Sequence, residues 1–213
     1  MRAFFVTIRP FCRADRPQLR KISYETSFAE NPHGFIDDEE VVADALTVYF
    51  TDYEPESCFV AVCENQVVGY LTGAKNAVAM NRFSLKTLYP KLAVKCLRSP
   101  FLWRKNSWKF LAGCLMGFLK GEFRRPDFSK QYPAIFHINI EKNYRGSGVA
   151  QRLMEVYLKY LQDHKIRGVH CATLSQHANG FFEKLGFTLL FKGPRFFGKE
   201  GRYFILGKKN VIA

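Results

Sequence analysis

The first third of the chain alternates between short apolar runs and stretches with helical periodicity. An aromatic and β-branched run predicts an opening strand at residues 4–9. Apolar positions at helical spacing predict a helix at residues 15–29 and a second helix that starts at residue 37. Two apolar runs around a short polar turn, at residues 58–63 and 67–73, predict a β-hairpin. This order of elements is typical of a domain that mixes helices with a sheet.

The last third of the chain repeats this alternation of strands and helices. A glycine turn leads from one predicted strand into an amphipathic helix, and a closing pair of strands ends the pattern. The predicted elements after that turn and helix are a strand at 169–174, a short helix at 179–185 and strands at 188–192 and 202–208. The sequence therefore predicts a second group of strands interleaved with helices.

The predicted strand at residues 134–141 alternates between two kinds of side chain. Because successive residues of a strand face opposite sides of the sheet, the two kinds lie on opposite faces. The apolar face carries Phe136, Ile138 and Ile140, and the polar face carries His137, Asn139 and Glu141. The pattern predicts a strand with one face in the core and one polar face.

The glycine turn at residues 143–150 predicts an anion-binding site. Gly146 and Gly148 permit backbone conformations that other residues resist, and they place no side chain in the path of a ligand. The first N–H groups of the following helix have no partner within the helix and lie at its positive end. A pyrophosphate fits such a turn, and Arg145 adds a cation beside it. The spacing excludes a P-loop and a dinucleotide fingerprint, which need further residues that are missing here.

These residues resemble the GNAT N-acetyltransferase superfamily. Arg145-x-x-Gly148-x-Ala150 matches its pyrophosphate signature, Gln/Arg-x-x-Gly-x-Gly/Ala. Residues 178–187 resemble its second signature, Ala-x-x-Phe-Tyr-Glu-Lys-Leu-Gly-Phe, at the expected distance along the chain. The resemblance is strong over residues 134–187 and looser over residues 4–73. Two signatures in the correct order identify the family better than either does alone.

The resemblance implies a fold, an activity and a co-substrate. The fold is α/β (α+β), with a mixed, mostly antiparallel central sheet flanked by helices. A single domain spans residues 1–213, and residues 76–131 form a basic helical insertion within it. The implied activity is acetyl transfer from acetyl-CoA to an amine of an unidentified acceptor, by direct attack in a ternary complex and without a metal.

The resemblance also implies which residues bind acetyl-CoA. The strand before the glycine turn splays from its neighbour in this family, and its exposed backbone groups bind the pantetheine arm as an added strand would. The implied coenzyme-binding residues are Ile138, Asn139, Ile140, Arg145, Gly146, Ser147, Gly148, Val149, Ala150, Ser175 and Phe182. Two of them depart from the family pattern, since Phe182 replaces a frequent tyrosine and Ser175 replaces an asparagine.

The catalytic residues are less well defined than the coenzyme site. An amine with a pKa of about 10 must lose a proton before it attacks. His137, with an ordinary pKa of about 6.5, is the first candidate for the base, and Glu141 is the second. The family tyrosine is thought to protonate the leaving thiolate, and Phe182 has no proton to give. Tyr203 and Tyr144 are the substitutes.

Composition restricts the other possibilities. The start of the chain has no signal-peptide pattern, and no apolar run reaches the length of about 20 residues that spans a membrane, so we expect a cytoplasmic protein. The six cysteines lack paired metal-ligand spacing, which favours free thiols. A catalytically silent CoA-binding or scaffold module is the rival from another class. Homodimerisation, common among relatives, is left open.

The net charge of +13 is concentrated in the insertion, residues 76–131. This segment has 12 Lys and Arg against 2 Asp and Glu, and the rest of the chain has a net charge of only +3. The favoured interpretation is a pair of helices packed on the core with a solvated basic face. Alternatives are a lid on the acceptor pocket and a membrane-surface enzyme whose Trp103 and Trp108 lie at lipid headgroups. Nucleic acid is the least favoured partner, because no recognition motif accompanies the charge.

Overall fold

A computed structural model describes residues 5–27, 38–98, 105–121, 125–194 and 202–209. The strands are β1 (Thr7–Pro10), β2 (Cys58–Cys63), β3 (Gln66–Ala74), β4 (Ala134–Ile140), β5 (Gly168–Thr173), β6 (Thr188–Pro194) and β7 (Arg202–Lys209). The helices are α1 (Arg16–Ser27), α2 (Glu39–Val48), α3 (Ala77–Phe83), α4 (Tyr89–Arg98), α5 (Lys105–Leu119), α6 (Val149–Asp163) and α7 (Gln176–Lys184).

In the described part of the chain, seven strands form one sheet in the order β1-β2-β3-β4-β5-β7-β6. Every neighbouring pair is antiparallel except β4 and β5, which run parallel. This parallel pair lies at the centre of the sheet, where α6 provides the crossover between its two strands. The architecture confirms the mixed, mostly antiparallel sheet flanked by helices that the sequence predicts.

Helices cover both faces of the sheet. The main core lies between the sheet and α6 and α7, where Phe136, Leu153, Tyr157 and Leu206 are buried together. On the opposite face α1 packs over β3 and β4 and buries Leu19 against the β2–β3 hairpin. The alternation predicted for residues 134–141 is confirmed for β4, because its even-numbered side chains enter the main core and its odd-numbered side chains face the α1 side.

Two predicted helix starts are wrong by one or two residues because side chains cap the backbone there. Asp15 ends a 3₁₀ turn instead of opening α1, since its carboxylate accepts bonds from the Arg9 guanidinium at 2.7 Å and from the Cys12 N–H at 2.9 Å. Asp38 precedes α2 and accepts a bond from the Val41 N–H at 3.1 Å. Phe4, Ala29 and Asp37, which bounded predicted elements, lie outside the described residues.

The insertion contains three helices in its described part, where the sequence predicted two. Pro90 lies within a continuous helical run, because α4 follows α3 through the π-helical turn Ser84–Leu88 without a break. Leu92 of α4 and Leu88 of this turn pack against Val41 of α2. Lys95 of α4 also donates to the Asp44 carboxylate at 2.8 Å. The expected packing on the domain is therefore confirmed for α4.

The expected packing is wrong for α5. Within the described residues, no helix or strand packs extensively along α5, and six of its apolar side chains are exposed, namely Trp108, Leu111, Leu115, Met116, Phe118 and Leu119. Trp103, the other tryptophan of the insertion, lies outside the described residues. The chain then returns to the sheet, where Arg125 and Tyr132 lie against β7.

Candidate active site

The sheet opens between β4 and β5. Only Ala134 and Ile135 of β4 have partners on β5, namely Val169 and His170, although both strands continue beyond these pairs. Five residues of β4, from position 136 to position 140, therefore face a widening gap. We call this gap the splay.

The backbone of β4 presents hydrogen-bonding groups to the splay. The N–H of Glu141 donates to the Val68 carbonyl at 2.9 Å, which sets the alternation of hydrogen bonds between β3 and the chain that follows β4. Odd-numbered residues of β4 therefore bond to β3, and even-numbered residues turn their N–H and C=O groups away from it. Ile138 and Ile140 accordingly direct main-chain groups into the splay, as the resemblance implied.

The glycine turn lies directly after β4. Gly146 and Gly148 have φ angles of 77° and 82°, the left-handed region that glycine favours. A Cβ atom added to either glycine meets no atom within 4 Å, so the space beside the turn is open. Ser147 donates its hydroxyl hydrogen to the Tyr144 carbonyl at 2.6 Å. Arg145 donates Nε–H to the Ile140 carbonyl at 3.1 Å, which ties the turn to the end of the splay.

The helix α6 begins at this turn. Its first intrahelical bond runs from the Arg152 N–H to the Gly148 carbonyl at 3.1 Å. The N–H groups of Val149 and Ala150 precede that bond and are directed out of the helix end. Val149 is buried and fixes the start of the helix in the core, while the backbone of Gly148 is exposed. The arrangement is suited to an anion at the positive end of a 15-residue helix.

A polar cluster lies on the opposite face of β4. Tyr70 of β3 is fully buried, and its hydroxyl oxygen accepts a bond from the Asn139 side-chain amide at 2.8 Å. The same hydroxyl group lies 3.4 Å from Nδ1 of His137. The antiparallel register places Tyr70 directly opposite Asn139, so the three side chains share one face. Tyr70 was not predicted, because only the register between the strands reveals it.

The environment of His137 changes its chemistry. Burial lowers the pKa of His137 to about 4, because the charged imidazolium loses its hydration there. The expected pKa of about 6.5 is therefore wrong for the folded protein, and the imidazole is neutral at neutral pH. Burial also raises the pKa of Tyr70 to about 12, so its hydroxyl group keeps its hydrogen. A neutral His137 is a weak proton acceptor and retains one N–H that can donate.

Glu141 lies beyond the end of β4 and away from this cluster. In the described structure no hydrogen bond joins its side chain to His137. The pKa of Tyr144 is raised, first by a hydrogen bond with Cys63 and to a smaller extent by the negative charges of Glu141 and Glu64. The negative charge of Glu141 thus affects Tyr144, the residue that directly precedes Arg145 of the glycine turn.

Tyr203 lies across the splay from the polar cluster. It is on β7 next to Phe204, which pairs with Thr173 at the end of β5, and its side chain is on the same face as His137. The guanidinium carbon of Arg125 lies 3.2 Å from the centre of the Tyr203 ring. Burial raises the pKa of Tyr203. This face of the sheet therefore carries His137 and Tyr203, with α1 packed over β3 and β4 and Arg125 over β7.

Ser175 and Phe182 have structural roles in α7. The Ser175 hydroxyl oxygen accepts a bond from the Ala178 N–H at 3.4 Å and caps the helix, which explains why α7 starts earlier than predicted. Phe182 is 5% exposed and packs edge-on against Phe136, with ring centres 5.6 Å apart. Phe187 completes this aromatic cluster. The phenyl ring therefore fills apolar space beside β4.

The described residues contain no candidate metal site and no candidate membrane span. Among the described residues, no group of three or more His, Cys, Asp or Glu side chains is placed to hold a metal ion. None of the described helices combines the length and the apolar character that crossing a bilayer requires. The described cysteines, Cys12, Cys58, Cys63, Cys96 and Cys171, are free thiols.

Comparison with protein families agrees with this geometry. The family model described as Acetyltransferase (GNAT) family matches residues 18–187, from α1 through α7 and including the insertion. The chain belongs to the GNAT acetyltransferase family. Membership confirms the predicted fold and enzyme class, and with them the predicted co-substrate of GNAT acetyltransferases, acetyl-CoA. Among curated proteins, no relative matches the sequence.

Solved structures share the GNAT fold over nearly the whole chain. The crystal structure of SsHAT has a TM-score of 0.72 at 23% identity and covers 96% of this chain and 98% of its own. A polyamine N-acetyltransferase from Drosophila melanogaster, which forms N-acetylagmatine, has a TM-score of 0.59 at 14% identity. The match covers 96% of this chain and 99% of that protein's chain. The yncA protein of Salmonella typhimurium, solved with acetyl-CoA, has a TM-score of 0.56 at 12% identity. The match covers 96% of this chain and 93% of that protein's chain.

Proposed function

We propose that the protein transfers the acetyl group of acetyl-CoA to an amine by direct attack within a ternary complex. The observation that carries the proposal is the continuity of the splay with the glycine turn. A strand with main-chain groups turned into a gap leads within a few residues to the open N-terminal end of α6. An extended pantetheine arm and a pyrophosphate need these two features side by side.

The coenzyme would lie along β4 from the turn toward the start of the splay. Its pyrophosphate accepts hydrogen bonds from the first N–H groups of α6, with Arg145 as the neighbouring cation. Ile138 and Ile140 bond the pantetheine arm through their main chain. The thioester then lies near the middle of β4. The side chain of His137 projects there from the α1 side of the sheet, opposite the main core.

We assign His137 a different role from the one that the sequence suggested. The Tyr70 hydroxyl group has hydrogen bonds with Asn139, which donates to its oxygen, and with Ser23, and we assign its hydrogen to His137 Nδ1 at 3.4 Å. That bond favours the neutral tautomer with its hydrogen on Nε2. A neutral imidazole N–H can donate to the thioester oxygen or to the departing sulfur, which supplies a donor that Phe182 lacks.

The reaction then needs only a neutral amine. Its nitrogen attacks the thioester carbon, the new C–N bond forms, and the C–S bond breaks to release the CoA thiolate. The proton lost by the amine passes to water, and the thiolate takes up a proton, so the products are the N-acetyl amine and CoA. A His137 with a pKa of about 4 cannot hold that proton at neutral pH, so the solvent is its acceptor.

The acceptor amine would enter on the face that carries His137 and Tyr203. Arg125 and the basic insertion border this side, so we expect the acceptor to lack a second positive charge. The Drosophila melanogaster neighbour acts on agmatine, but at 14% identity it shows the fold alone. Thiol release with 6-aminohexanoate and with agmatine compares a carboxylate with a guanidinium on otherwise similar primary amines.

The coenzyme site is tested by a pair of near-isosteric substitutions. Gly148→Asp should weaken CoA binding by about 100-fold or more, because it places a negative charge beside the pyrophosphate. Gly148→Asn has nearly the same shape and tolerates the left-handed backbone, so it should weaken binding far less. Calorimetry with CoA gives both dissociation constants. Equal affinities for the two folded variants and the wild type would refute the site, whatever acceptor the enzyme uses.

A further inference from the structure

The helix α5 carries an exposed apolar stripe. Its members recur at intervals of three and four residues, so they lie along one side of the helix. They are Trp108, Leu111, Leu115, Phe118 and Leu119, and we call them the α5 stripe. Phe118 is 71% exposed, Leu119 69%, and Trp108 and Leu115 61% each. An apolar surface of this kind marks an interaction site.

The chain around the stripe is strongly basic. Residues 76–121 contain nine Lys and Arg and no Asp or Glu. Lys105 and Lys109 belong to α5, and the exposed Lys120 follows its last residue. A surface that combines exposed aromatic and aliphatic side chains with an excess of Lys and Arg over Asp and Glu along the chain fits a partner that is apolar within and negatively charged outside.

We propose that the α5 stripe docks the protein on the surface of an anionic phospholipid bilayer. The 15 residues of α5 extend about 22 Å, which is too short to cross a hydrocarbon core of about 30 Å. The helix therefore lies in the plane of the interface, with its leucines and Phe118 among the acyl chains. Trp108 lies at the headgroups, and the lysines contact the lipid phosphates.

Charge separates this partner from the other candidates. A second copy of the chain would bring the same basic segment against itself, and like charges oppose such a contact. Nucleic acid would satisfy the charge but leave the apolar stripe in water. An anionic bilayer satisfies both properties of the surface.

A short stretch of chain joins the docking surface to the face of the sheet that we propose for the acceptor. Four peptide steps join Gly121 to Arg125, a reach of at most about 14 Å. The Arg125 guanidinium lies over the ring of Tyr203 on that face. If the proposed function is correct, an amine held at the bilayer surface is within reach of the enzyme, whereas the docking itself does not depend on that function.

Vesicle flotation tests the proposal with the full-length protein. The vesicles contain either phosphatidylcholine alone or phosphatidylcholine with about 30% phosphatidylglycerol, the composition that supplies negative surface charge. We expect flotation with the anionic vesicles and a loss of at least tenfold in the double variant Leu115→Ser and Phe118→Ser. The matched control is Phe5→Ser, which removes a side chain that is 89% exposed outside the insertion and should float like the wild type.

A spectroscopic measurement keeps the test independent of folding defects. In a Trp103→Phe background, Trp108 is the one remaining tryptophan, and its emission should shift to the blue with anionic vesicles. CoA affinity should be unchanged in the double variant. Absence of flotation, or equal flotation of the double variant, would overturn the proposal. A concentration-dependent dimer that the double variant abolishes, without vesicle binding, would assign the stripe to a second copy instead.

Discussion

His137 shows how one side chain acquires a new role from its neighbours. From the sequence it is a histidine on the polar face of a strand, and its ordinary pKa favours a base. In the folded protein its half-buried side chain lies beside Tyr70 and Asn139, and loss of hydration lowers the pKa of its imidazole to about 4. A neutral ring in a hydrogen-bonded cluster is better suited to donate a hydrogen bond than to take a proton.

The same pKa predicts how stability depends on pH. The folded pKa of His137 lies below the value of about 6.5 in an unfolded chain, so only the unfolded chain gains a proton between the two values. The contribution of His137 to the free energy of unfolding is therefore fully present above pH 6.5 and decreases as the pH falls toward 4. This residue should account for a loss of about 2 kcal/mol between pH 7 and pH 5, measured by urea unfolding.

A matched pair of variants isolates that contribution. His137→Gln should flatten the pH dependence, although His170, whose pKa is also lowered by burial, leaves a remainder. His177→Gln changes an exposed histidine in the first turn of α7 and serves as the control for the substitution itself. Identical slopes for the wild type and His137→Gln would show that the ring is hydrated in the folded state.

The site residues differ in how far the sequence determines them. Arg145, Gly146 and Gly148 follow each other along the chain, so a local motif is sufficient to place them. Tyr70 depends on the pairing of β3 with β4, which brings residues 69 positions apart into contact. A single sequence does not contain this register. The lowered pKa of His137 escaped prediction for the same reason.

At the scale of elements, one contact between the sheet and α6 depends on a missing side chain. The ring and hydroxyl group of Tyr157 lie against Gly73 of β3, where an added Cβ would overlap both of them. Tyr157 is fully buried, stacks on Tyr160, and donates to the Ile135 carbonyl at 3.2 Å. The ring cannot move aside, so β3 needs a glycine here.

Gly73→Ala should therefore destabilise the protein by about 2–3 kcal/mol in chemical denaturation, as overpacked core positions do. Gly180→Ala in α7 is the control, because no atom lies within 4 Å of its added Cβ, and it should be neutral or slightly stabilising. In a double-mutant cycle with Tyr157→Leu, the double variant should lose less stability than the sum of the losses in the two single variants. Full additivity would mean that the methyl group added by Gly73→Ala does not clash with the Tyr157 ring.

Most elements were predictable from periodicity, and the exceptions have physical reasons. The strands and α6 have strong patterns, so their bounds differ from prediction by only a few residues. A π-helical turn at Tyr49–Tyr53 extends α2, and in the insertion a second one at Ser84–Leu88 connects α3 to α4, so a 3.6-residue period does not align the residues on either side. The apolar side of α5 looks in sequence like a core face. Periodicity reveals such a face but does not show what covers it.

At the scale of the whole molecule, the splay divides the sheet into two groups of strands. β1 to β4 form one group and β5 to β7 the other, and the two groups share backbone bonds only where Ala134 and Ile135 meet β5. Packing of Phe136, Phe182 and Phe187 against each other joins the groups through the core. A ligand arm in the splay would add bonds along β4 that the protein itself does not make.

Acetyl-CoA should therefore stabilise the protein and protect a defined set of amides. At 100 times its dissociation constant the ligand contributes about 2.7 kcal/mol, which corresponds to a rise in melting temperature of about 5–10 °C. Hydrogen exchange at Ile138 and Ile140 should slow with CoA. It should not slow with 3′-phosphoadenosine 5′-diphosphate, which has the pyrophosphate without the pantetheine arm. Protection by both ligands alike would contradict binding of the arm to β4.

We call the pairing of Ala134 and Ile135 with β5 the seam, and its short length has a consequence for how long the protein persists in the cell. When its acetyl donor is scarce, the seam lacks reinforcement, and the population of opened molecules grows in proportion to the unoccupied fraction. Proteases act on such opened molecules. If acetyl-CoA binds along β4 as proposed, the abundance of the enzyme would then follow the supply of its own co-substrate, so that a gap in a sheet links metabolism to turnover.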